Sequence, residues 1–208
     1  MPSADTVFII DDDDAVRESL QLLLETSGYS VAMFPSGKVF LDALPPGARG
    51  CVLVDVRMPE IGGIEVQQEL NRRSTGLPVI VMTGHADVPL AVRAMKAGAT
   101  DFIEKPFSDD VISAAIERAL QLDRASRDER ATAARINDRA GLLTAREREV
   151  LEHLIEGHPN KVIAHRLSIS PRTVEIHRAR VMEKMQARGL SDLVRMALDA
   201  GLLSQSRA

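Results

Sequence analysis

The first 122 residues alternate between short apolar runs and stretches in which apolar residues recur at helical spacing. The apolar runs predict strands at Thr6–Ile10, Ser30–Phe34, Cys51–Val54, Pro78–Met82 and Asp101–Glu104. The stretches between and after them predict helices at Ala15–Thr26, Gly37–Leu44, Gly63–Leu70, Val88–Ala97 and Val111–Leu122. Continuous apolar strands that alternate with helices are typical of a doubly wound parallel sheet covered on both faces.

The remainder of the chain has a different pattern. Residues 123–140 are rich in alanine and arginine, with opposite charges at helical spacing, and predict a linker that is at least partly helical. A flexible coil is the alternative. Residues 141–208 carry four short helical patterns and no strand pattern, which predicts an all-α domain. These patterns lie at 144–155, Asn160–Leu167, Pro171 to about Met185, and Ser191–Ala200.

Composition narrows the class of protein. The chain is 45% hydrophobic and 27% charged, and no apolar run approaches the length of a membrane span. The N-terminus lacks a secretory pattern, and the single cysteine, Cys51, lies in an apolar run. We therefore expect a cytoplasmic protein in a reducing compartment, with no membrane partner and Cys51 in the core.

Charge is divided unevenly between the two parts. Residues 1–122 hold 10 Lys/Arg and 18 Asp/Glu, whereas residues 123–208 hold 16 and 12. The acidic part and the basic part therefore have different tasks, and the basic part is a candidate for binding a polyanion.

Charged and hydroxyl side chains follow several predicted strands at the point where each ends. Asp11 and Asp12 follow the first strand, Asp55 the third, Thr83 the fourth and Lys105 the fifth. The ends of strands one and three adjoin in a doubly wound sheet, so we expect the acids to lie close together. Crowded carboxylates require a cation, and an all-oxygen ligand set suits Mg²⁺. The alternative is a solvated acidic run that caps the first helix, which we expect for Asp13 and Asp14.

This combination of groups is suited to phosphoryl transfer. A carboxylate nucleophile forms an acyl phosphate, and a phosphoryl group on Asp55 has three oxygens to satisfy. Mg²⁺, Thr83 and Lys105 would each hold one oxygen, which supplies positioning and charge neutralisation.

The matching motifs are Ile9–Asp12, Asp55 with Met58-Pro59, Gly62-Gly63, Thr83-Gly84, Ala97–Ala99 and Lys105-Pro106. With them, residues 1–122 resemble a response-regulator receiver domain, which is flavodoxin-like. The resemblance implies an aspartyl phosphate on Asp55, donated by a sensor histidine kinase. It also implies Mg²⁺, replaceable by Mn²⁺ or Ca²⁺, bound by Asp12, Asp55 and the backbone carbonyl of Arg57, with Asp11 acting through water.

Three further expectations come from the same resemblance. The Lys105–Pro106 bond is expected to be cis. Phe102 occupies the aromatic switch position, where it lacks the hydroxyl of the more usual tyrosine, and a plain buried phenylalanine is the alternative. The protein is expected not to be an enzyme beyond accepting the phosphoryl group and slow self-dephosphorylation.

The basic end contains two helical patterns joined by a serine-containing turn, as in a helix-turn-helix unit. The second helix, from Pro171, would enter the major groove of DNA. Its inward face should hold Val174, either Ile176 or His177, Val181 and Met185. Basic residues that could reach phosphates are Lys161, Arg172, Arg178, Arg180 and Lys184. The alternative is a solvated basic face on a small helical bundle.

Residues 141–208 resemble a LuxR/NarL-type DNA-binding domain, through Leu143–Leu151, Asn160-Lys161, Leu167–Ser170 and Thr173-Val174 with His177. The resemblance implies that Glu175, Ile176 and Ala179 point into the groove, with Lys161, Thr173, His177 and Arg178 near the DNA backbone. The whole chain resembles FixJ-type transcriptional activators of nitrogen-fixation and microaerobic genes. This implies a FixL-like kinase, double-stranded promoter DNA and RNA polymerase as partners.

Phosphorylation is expected to pair two receivers into a homodimer. The predicted surface is formed by Val88, Val92, Met95, Lys96, Asp101 and Ile103. Two other functions remain open: a phosphohydrolase with an aspartate nucleophile, and an adaptor that binds protein instead of DNA. Such hydrolases usually carry a second acid two residues after the nucleophile, where this chain has Arg57.

Overall fold

The structure is a computed structural model that describes residues 5–85 and 88–202. The chain forms two compact units that divide between Ser126 and Arg127. The predicted domains were 1–122 and 141–208, so their extreme termini lie outside the described residues.

The first unit contains alternating strands and helices. In chain order they are β1 Thr6–Ile10, α1 Asp14–Thr26, β2 Ser30–Phe34, α2 Gly37–Ala43, β3 Gly50–Asp55, α3 Gly63–Arg72, β4 Val79–Thr83, α4 Val88–Lys96 and β5 Asp101–Glu104. Helix α5, Asp109–Gly141, follows them. The second unit contains α6 Ala145–Ile155, α7 Asn160–Leu167, α8 Pro171–Met185 and α9 Leu190–Asp199.

Within the described residues, the strands form one five-stranded parallel sheet with the order β2-β1-β3-β4-β5. The predicted fold class, a doubly wound receiver-like sheet followed by a helical domain, is confirmed. The central strand β3 lies between β1 and β4, in a register that pairs Ile10 with Val54 and Asp55 with Met82. The ends of β1, β3 and β4 therefore lie side by side.

Alternate residues of the central strands face two separate apolar cores. Phe8, Val52 and Val81 belong to one core, which helices α2, α3 and α4 cover. Ile9, Leu53 and Ile80 belong to the other, which α1 and the first part of α5 cover. Because both faces of the sheet are buried at its centre, β1, β3 and β4 are apolar except at their ends, and this is the pattern from which they were predicted.

Helix α5 begins at Asp109, after the predicted cap at Ser108, and extends well beyond Leu122, where the predicted helix ended. It runs for 33 residues and includes all of 123–140, the segment predicted as a partly helical linker. This segment contains no glycine or proline before Gly141 and is rich in alanine, so nothing in it breaks a helix. The division between the two units falls inside this helix.

The caps of the second unit follow the predicted chemistry. The Thr144 hydroxyl accepts from the Glu147 amide, and the Glu147 carboxylate accepts from the Thr144 amide, which completes a capping box. Ser170 caps α8, with Pro171 at its first position. The core contains Val150, Ile163, Val174 and further apolar residues. No described helix is long and apolar enough to cross a membrane.

Candidate functional site

Asp55 is the last residue of β3 and is buried, with 8% of the residue exposed. Its Oδ2 accepts a hydrogen bond from the Arg57 amide at 2.6 Å, which fixes the carboxylate plane. Helix α3 begins directly against this strand end. A Cβ on Gly63 would lie 2.6 Å from the Asp55 carbonyl oxygen, so only glycine allows this approach.

Lys105 links the carboxylates of two strand ends. Its Nζ donates to Asp11 Oδ2 at 2.6 Å and to Asp55 Oδ1 at 2.7 Å. Burial alone would lower the pKa of Lys105, but the hydrogen bonds from its ammonium to both carboxylates raise the pKa above its usual value. The peptide bond between Lys105 and Pro106 is cis, as expected. The ammonium is therefore charged and held between the two acids.

Thr83 ends β4, the neighbour of β3, and is 1% exposed. Its hydroxyl donates to the His85 carbonyl and accepts from the His85 amide, both at 3.2 Å. Phe102, at the predicted switch position, is half-buried and packs against the core that contains Phe8. It is therefore neither free in solvent nor fully enclosed, and a side chain in this position has room to change its packing.

The two acids at the end of β1 have different environments. Asp11 is 1% exposed, and its backbone carbonyl accepts from Arg17 Nη1 at 2.6 Å. Asp12 is exposed, and Asp13 accepts from the Ala15 amide as the N-cap of α1, as predicted. Arg17 was not predicted as part of this site. Its position one helical turn into α1 is the only sequence signal for this contact.

The donor set fits a hard divalent cation. Asp11, Asp12 and Asp55 offer carboxylate oxygens, and the chain after Asp55 adds the carbonyl of Arg57, so every candidate ligand atom is oxygen. Such sets favour Mg²⁺ over softer metals. Lys105 supplies one positive charge against three carboxylates, so the pocket retains net negative charge for a cation to neutralise.

The predicted dimer surface is only partly exposed. Val88, Val92 and Met95 are among the exposed large apolar residues, with Val88 at 77%, and Lys96 is also exposed. Asp101 is half-buried and forms an ion pair with Arg118 of α5. Ile103 does not belong to this surface: it is 5% exposed and packs in the core with Ile9 and Ile80. Its side chain alternates with those of its neighbours along β5 and points inward.

Helix α8 has a buried face and an exposed face. Val174, Val181 and Met185 are fully buried, as predicted for the inward face. Of the two alternatives for the remaining inward position, His177 is half-buried and Ile176 is 49% exposed, so His177 takes it. The residues predicted to contact DNA that are exposed here are Lys161, Arg172, Glu175, Ile176, Ala179 and Arg180.

The other predicted DNA contacts are half-buried: Thr173, His177, Arg178 and Lys184. Thr173 exchanges a hydroxyl–hydroxyl bond of 2.8 Å with Ser170, and Arg178 Nη1 donates to Asn160 Oδ1 at 3.4 Å. Among the described residues, no hydrogen bond reaches Nδ1 of His177. The bond between Arg178 and Asn160 links α8 to the first residue of α7.

Lys184 has a structural role that the sequence did not indicate. Its Nζ donates to the buried carboxylate of Glu147 at 2.6 Å and to the Leu142 carbonyl at 3.1 Å. The hydrogen bond from Lys184, followed by that from the Thr144 amide, lowers the pKa of Glu147 to about 2. The Lys184 ammonium therefore points toward α6. A contact with a DNA phosphate would require it to point outward.

Comparison with known families matches both units. Residues 7–117 match the response regulator receiver domain, and residues 141–197 match the family of bacterial regulatory proteins called the luxR family. Together these matches span the carboxylate pocket and the basic helix.

Individual relatives match over nearly the full length. The chain is 54% identical to the transcriptional regulatory protein FixJ of Azorhizobium caulinodans, over 97% of this chain and 96% of that protein. The solved structure of full-length FixJ from B. japonicum is 48% identical, covers 98% of this chain and 100% of its own, and has a TM-score of 0.59. The structure of the response regulator StyR is 41% identical, covers 94% and 99%, and has a TM-score of 0.81.

Proposed function

The chain belongs to the bacterial response regulators in which a receiver domain precedes a luxR-family domain, and from that premise we propose that phosphorylation of Asp55 controls its binding to promoter DNA. It is a two-component transcription regulator of FixJ type. The observation that carries the proposal is the bridge from the Lys105 ammonium to the carboxylates of Asp11 and Asp55 at 2.6 and 2.7 Å.

Asp55 accepts the phosphoryl group from a phosphohistidine of a sensor kinase. One of its carboxylate oxygens forms the new P–O bond as the donor's P–N bond breaks, and the kinase histidine leaves as neutral imidazole. Receiver domains generally bind Mg²⁺, which neutralises charge on the transferring group. In this chain Asp12, Asp55 and the Arg57 carbonyl would hold it, with Asp11 one water away, and Mn²⁺ or Ca²⁺ would substitute.

The new phosphoryl oxygens compete for groups that are engaged elsewhere. Lys105 gives up part of its contact with the two carboxylates to reach one oxygen. The Thr83 hydroxyl leaves its bonds with the His85 backbone, each a long 3.2 Å, to donate to another. As Thr83 moves inward, Phe102 repacks beside it. The charge on Asp55 is thereby converted into a change of packing around β4 and β5.

This change is coupled to self-association. The exposed apolar side chains of α4, Val88, Val92 and Met95, form a surface that is costly to leave in water and suited to a partner receiver. Lys96 and Asp101 add opposite charges at its border. A homodimer carries two luxR-family units, so its affinity for two half-sites exceeds that of either unit alone.

DNA recognition is assigned to α8. Glu175, Ile176 and Ala179 face the groove, where a glutamate accepts from a cytosine amino group. Lys161, Arg172 and Arg180 contact phosphates, and the half-buried Thr173, His177 and Arg178 lie near the backbone. In keeping with the relatives named FixJ, we propose an activator of nitrogen-fixation and microaerobic genes that works with RNA polymerase and a FixL-like kinase.

The two other functions have less support. A phosphohydrolase would need a second acid near Asp55, and the position two residues on is the exposed Arg57, whose amide holds the carboxylate. Slow loss of its own phosphoryl group is the only hydrolysis proposed. A protein-binding adaptor would have no use for the exposed basic residues of α8, and the luxR-family match favours DNA.

The test is phosphate uptake followed by mass spectrometry. The chain is incubated with acetyl phosphate and Mg²⁺, and the native protein should gain one phosphoryl group that maps to Asp55. Asp55→Asn should gain none, whereas the matched control Asp42→Asn, an exposed aspartate on α2, should gain it at the native rate. A phosphoryl group on any other residue of the native chain would refute the assignment.

A further inference from the structure

The turn between α6 and α7 brings together two histidines and a glutamate that neither the carboxylate pocket nor the DNA-binding face uses. Helix α6 ends at Ile155, and Gly157 follows it with a φ of 82°, a conformation that favours glycine. The Gly157 amide donates to Leu154, and the His158 amide donates to the His153 carbonyl at 3.0 Å. This C-terminal cap turns His158 back over the last turn of the helix. Its ring centre then lies 5.3 Å from that of His153.

The carboxylate of Glu156 lies between the two rings. Its Oε2 is 3.4 Å from Nδ1 of His153 and 3.1 Å from Nδ1 of His158. The candidate ligand atoms of the three residues all lie within 4.8 Å of one another. Two ligands bound to one tetrahedral Zn²⁺ are roughly 3.3 Å apart, given bond lengths of about 2.0–2.1 Å. Both distances from Glu156 Oε2 to a histidine Nδ1 are therefore already close to the ligand–ligand spacing of a metal site.

Hydrogen bonding accounts for only one side of this arrangement, in which His153 Nδ1 and Glu156 Oε2 form a hydrogen bond of 3.4 Å. Nδ1 of His158 is buried, and within the described residues it makes no hydrogen bond, because Glu156 lies at the right distance but outside hydrogen-bond geometry. A buried nitrogen without a partner is costly. A metal ion placed among the three atoms would use the lone pair of this nitrogen and remove that cost.

We propose that His153 Nδ1, Glu156 Oε2 and His158 Nδ1 form a binding site for a divalent transition metal of the Zn²⁺ class. Two imidazoles and one carboxylate leave a fourth position for water. Glu156 is the most exposed of the three, with 45% of its side chain accessible, so an ion can enter from solvent. The nitrogen ligands separate this site from the all-oxygen pocket of the receiver, which prefers harder ions.

The site lies next to the DNA-binding helices. Helix α7 begins two residues after His158, and its first residue, Asn160, accepts a hydrogen bond from Arg178 of α8. A metal that joins the end of α6 to this turn fixes the start of α7. Bound metal therefore stabilises the folded luxR-family unit by mass action. Once the metal concentration exceeds Kd, the free energy of unfolding rises with the logarithm of that concentration.

The test uses Co²⁺, whose visible absorption distinguishes tetrahedral from octahedral coordination. The full chain, without an affinity tag, is saturated with Mg²⁺ to occupy the receiver pocket and is then titrated with Co²⁺ at neutral pH. We expect one equivalent of Co²⁺ with an intense tetrahedral spectrum, displaced by Zn²⁺. Asp55→Asn should give the same spectrum, because the receiver pocket is not involved.

Variants assign the ligands. His158→Gln and Glu156→Gln should each weaken Co²⁺ binding by at least about tenfold. Even the loss of a residue that only supports the ligands weakens metal binding by about 10–100-fold. The matched control is His165→Gln, an exposed histidine on α7 outside the cluster, which should bind as the native chain does. Far-UV circular dichroism of each variant confirms that it is folded.

Thermal unfolding provides the second readout. Zn²⁺ should raise the Tm of the luxR-family unit in the native chain and in His165→Gln, and should leave it unchanged in His158→Gln. Absence of a tetrahedral spectrum in the native chain would overturn the proposal. So would a spectrum that survives both His158→Gln and Glu156→Gln, or one that is lost in Asp55→Asn.

Discussion

Replacing Lys105 by methionine tests the electrostatics of the carboxylate pocket. The substitution keeps most of the side-chain volume and removes the ammonium that donates to Asp11 and Asp55. The Asp11 and Asp55 side chains are only 2% and 11% exposed, so both lose a partner that solvent does not fully replace. We expect the receiver unit to be destabilised, and Mg²⁺ to recover most of the loss.

The structure sets the size of this effect. Removing one partner of a buried ion pair costs about 3–5 kcal/mol. The lower end applies because the Lys105 side chain is itself 19% exposed and the pocket is open to solvent on that side. A loss of about 3 kcal/mol lowers the Tm of a unit of this size by roughly 10 °C. A divalent cation then meets carboxylates that no longer have a competing ammonium, so its stabilising effect should exceed that in the native chain.

The assay is thermal unfolding of the full chain followed by circular dichroism, with and without saturating Mg²⁺. The control is Lys38→Met, an exposed lysine on α2 whose loss should shift the Tm by no more than about a degree. The reasoning is refuted if Lys105→Met unfolds at the native temperature without metal. It is also refuted if Mg²⁺ stabilises the variant no more than it stabilises the native chain.

Three further predictions concern other parts of the chain. The pKa of Glu147 is about 2, below its ordinary 4.5, so its pair with Lys184 stabilises fully above pH 4.5 and is lost as pH falls toward 2. Glu147→Gln should remove that part of the acid dependence of urea unfolding, and an unchanged curve would contradict the pairing. Gly63→Ala should destabilise the receiver by about 1–3 kcal/mol and slow phosphate uptake in mass spectrometry, while Gly141→Ala, with no atom within 4 Å of the added Cβ, should not. Arg180→Gln should reduce the slope of log affinity against log salt by about 0.9 on any duplex, in a fluorescence titration, and an unchanged slope would exclude a phosphate contact.

The strands were predictable because burial of both sheet faces leaves a simple signature. The bounds of β1, β2 and β5 match the predicted runs, and β3 and β4 differ by one residue at each end. The pocket was equally accessible, since parallel topology alone brings Asp55 and Lys105 to the same edge of the sheet. Helix bounds were less certain, and α5 shows why. Its exposed continuation has no apolar stripe that distinguishes a helix from a coil.

Some contacts could be identified only from the three-dimensional structure. The predicted dimer surface included Ile103 of β5, but this side chain belongs to the core on the opposite face of the sheet. Lys184 resembles any other basic residue of α8 in the sequence, and only the fold brings Glu147 to its ammonium. The histidine cluster also depends on three-dimensional structure, because the turn at Gly157 is needed to return His158 to His153.

The central claim is that charge placed on Asp55 controls DNA binding through self-association. The most direct test is analytical ultracentrifugation of the full chain with a fluorescent promoter duplex, before and after addition of beryllofluoride and Mg²⁺. The account predicts that the native chain becomes a dimer and binds the duplex more tightly, while Asp55→Asn changes in neither respect. An unchanged association state and duplex affinity in the native chain, despite bound beryllofluoride, would contradict it.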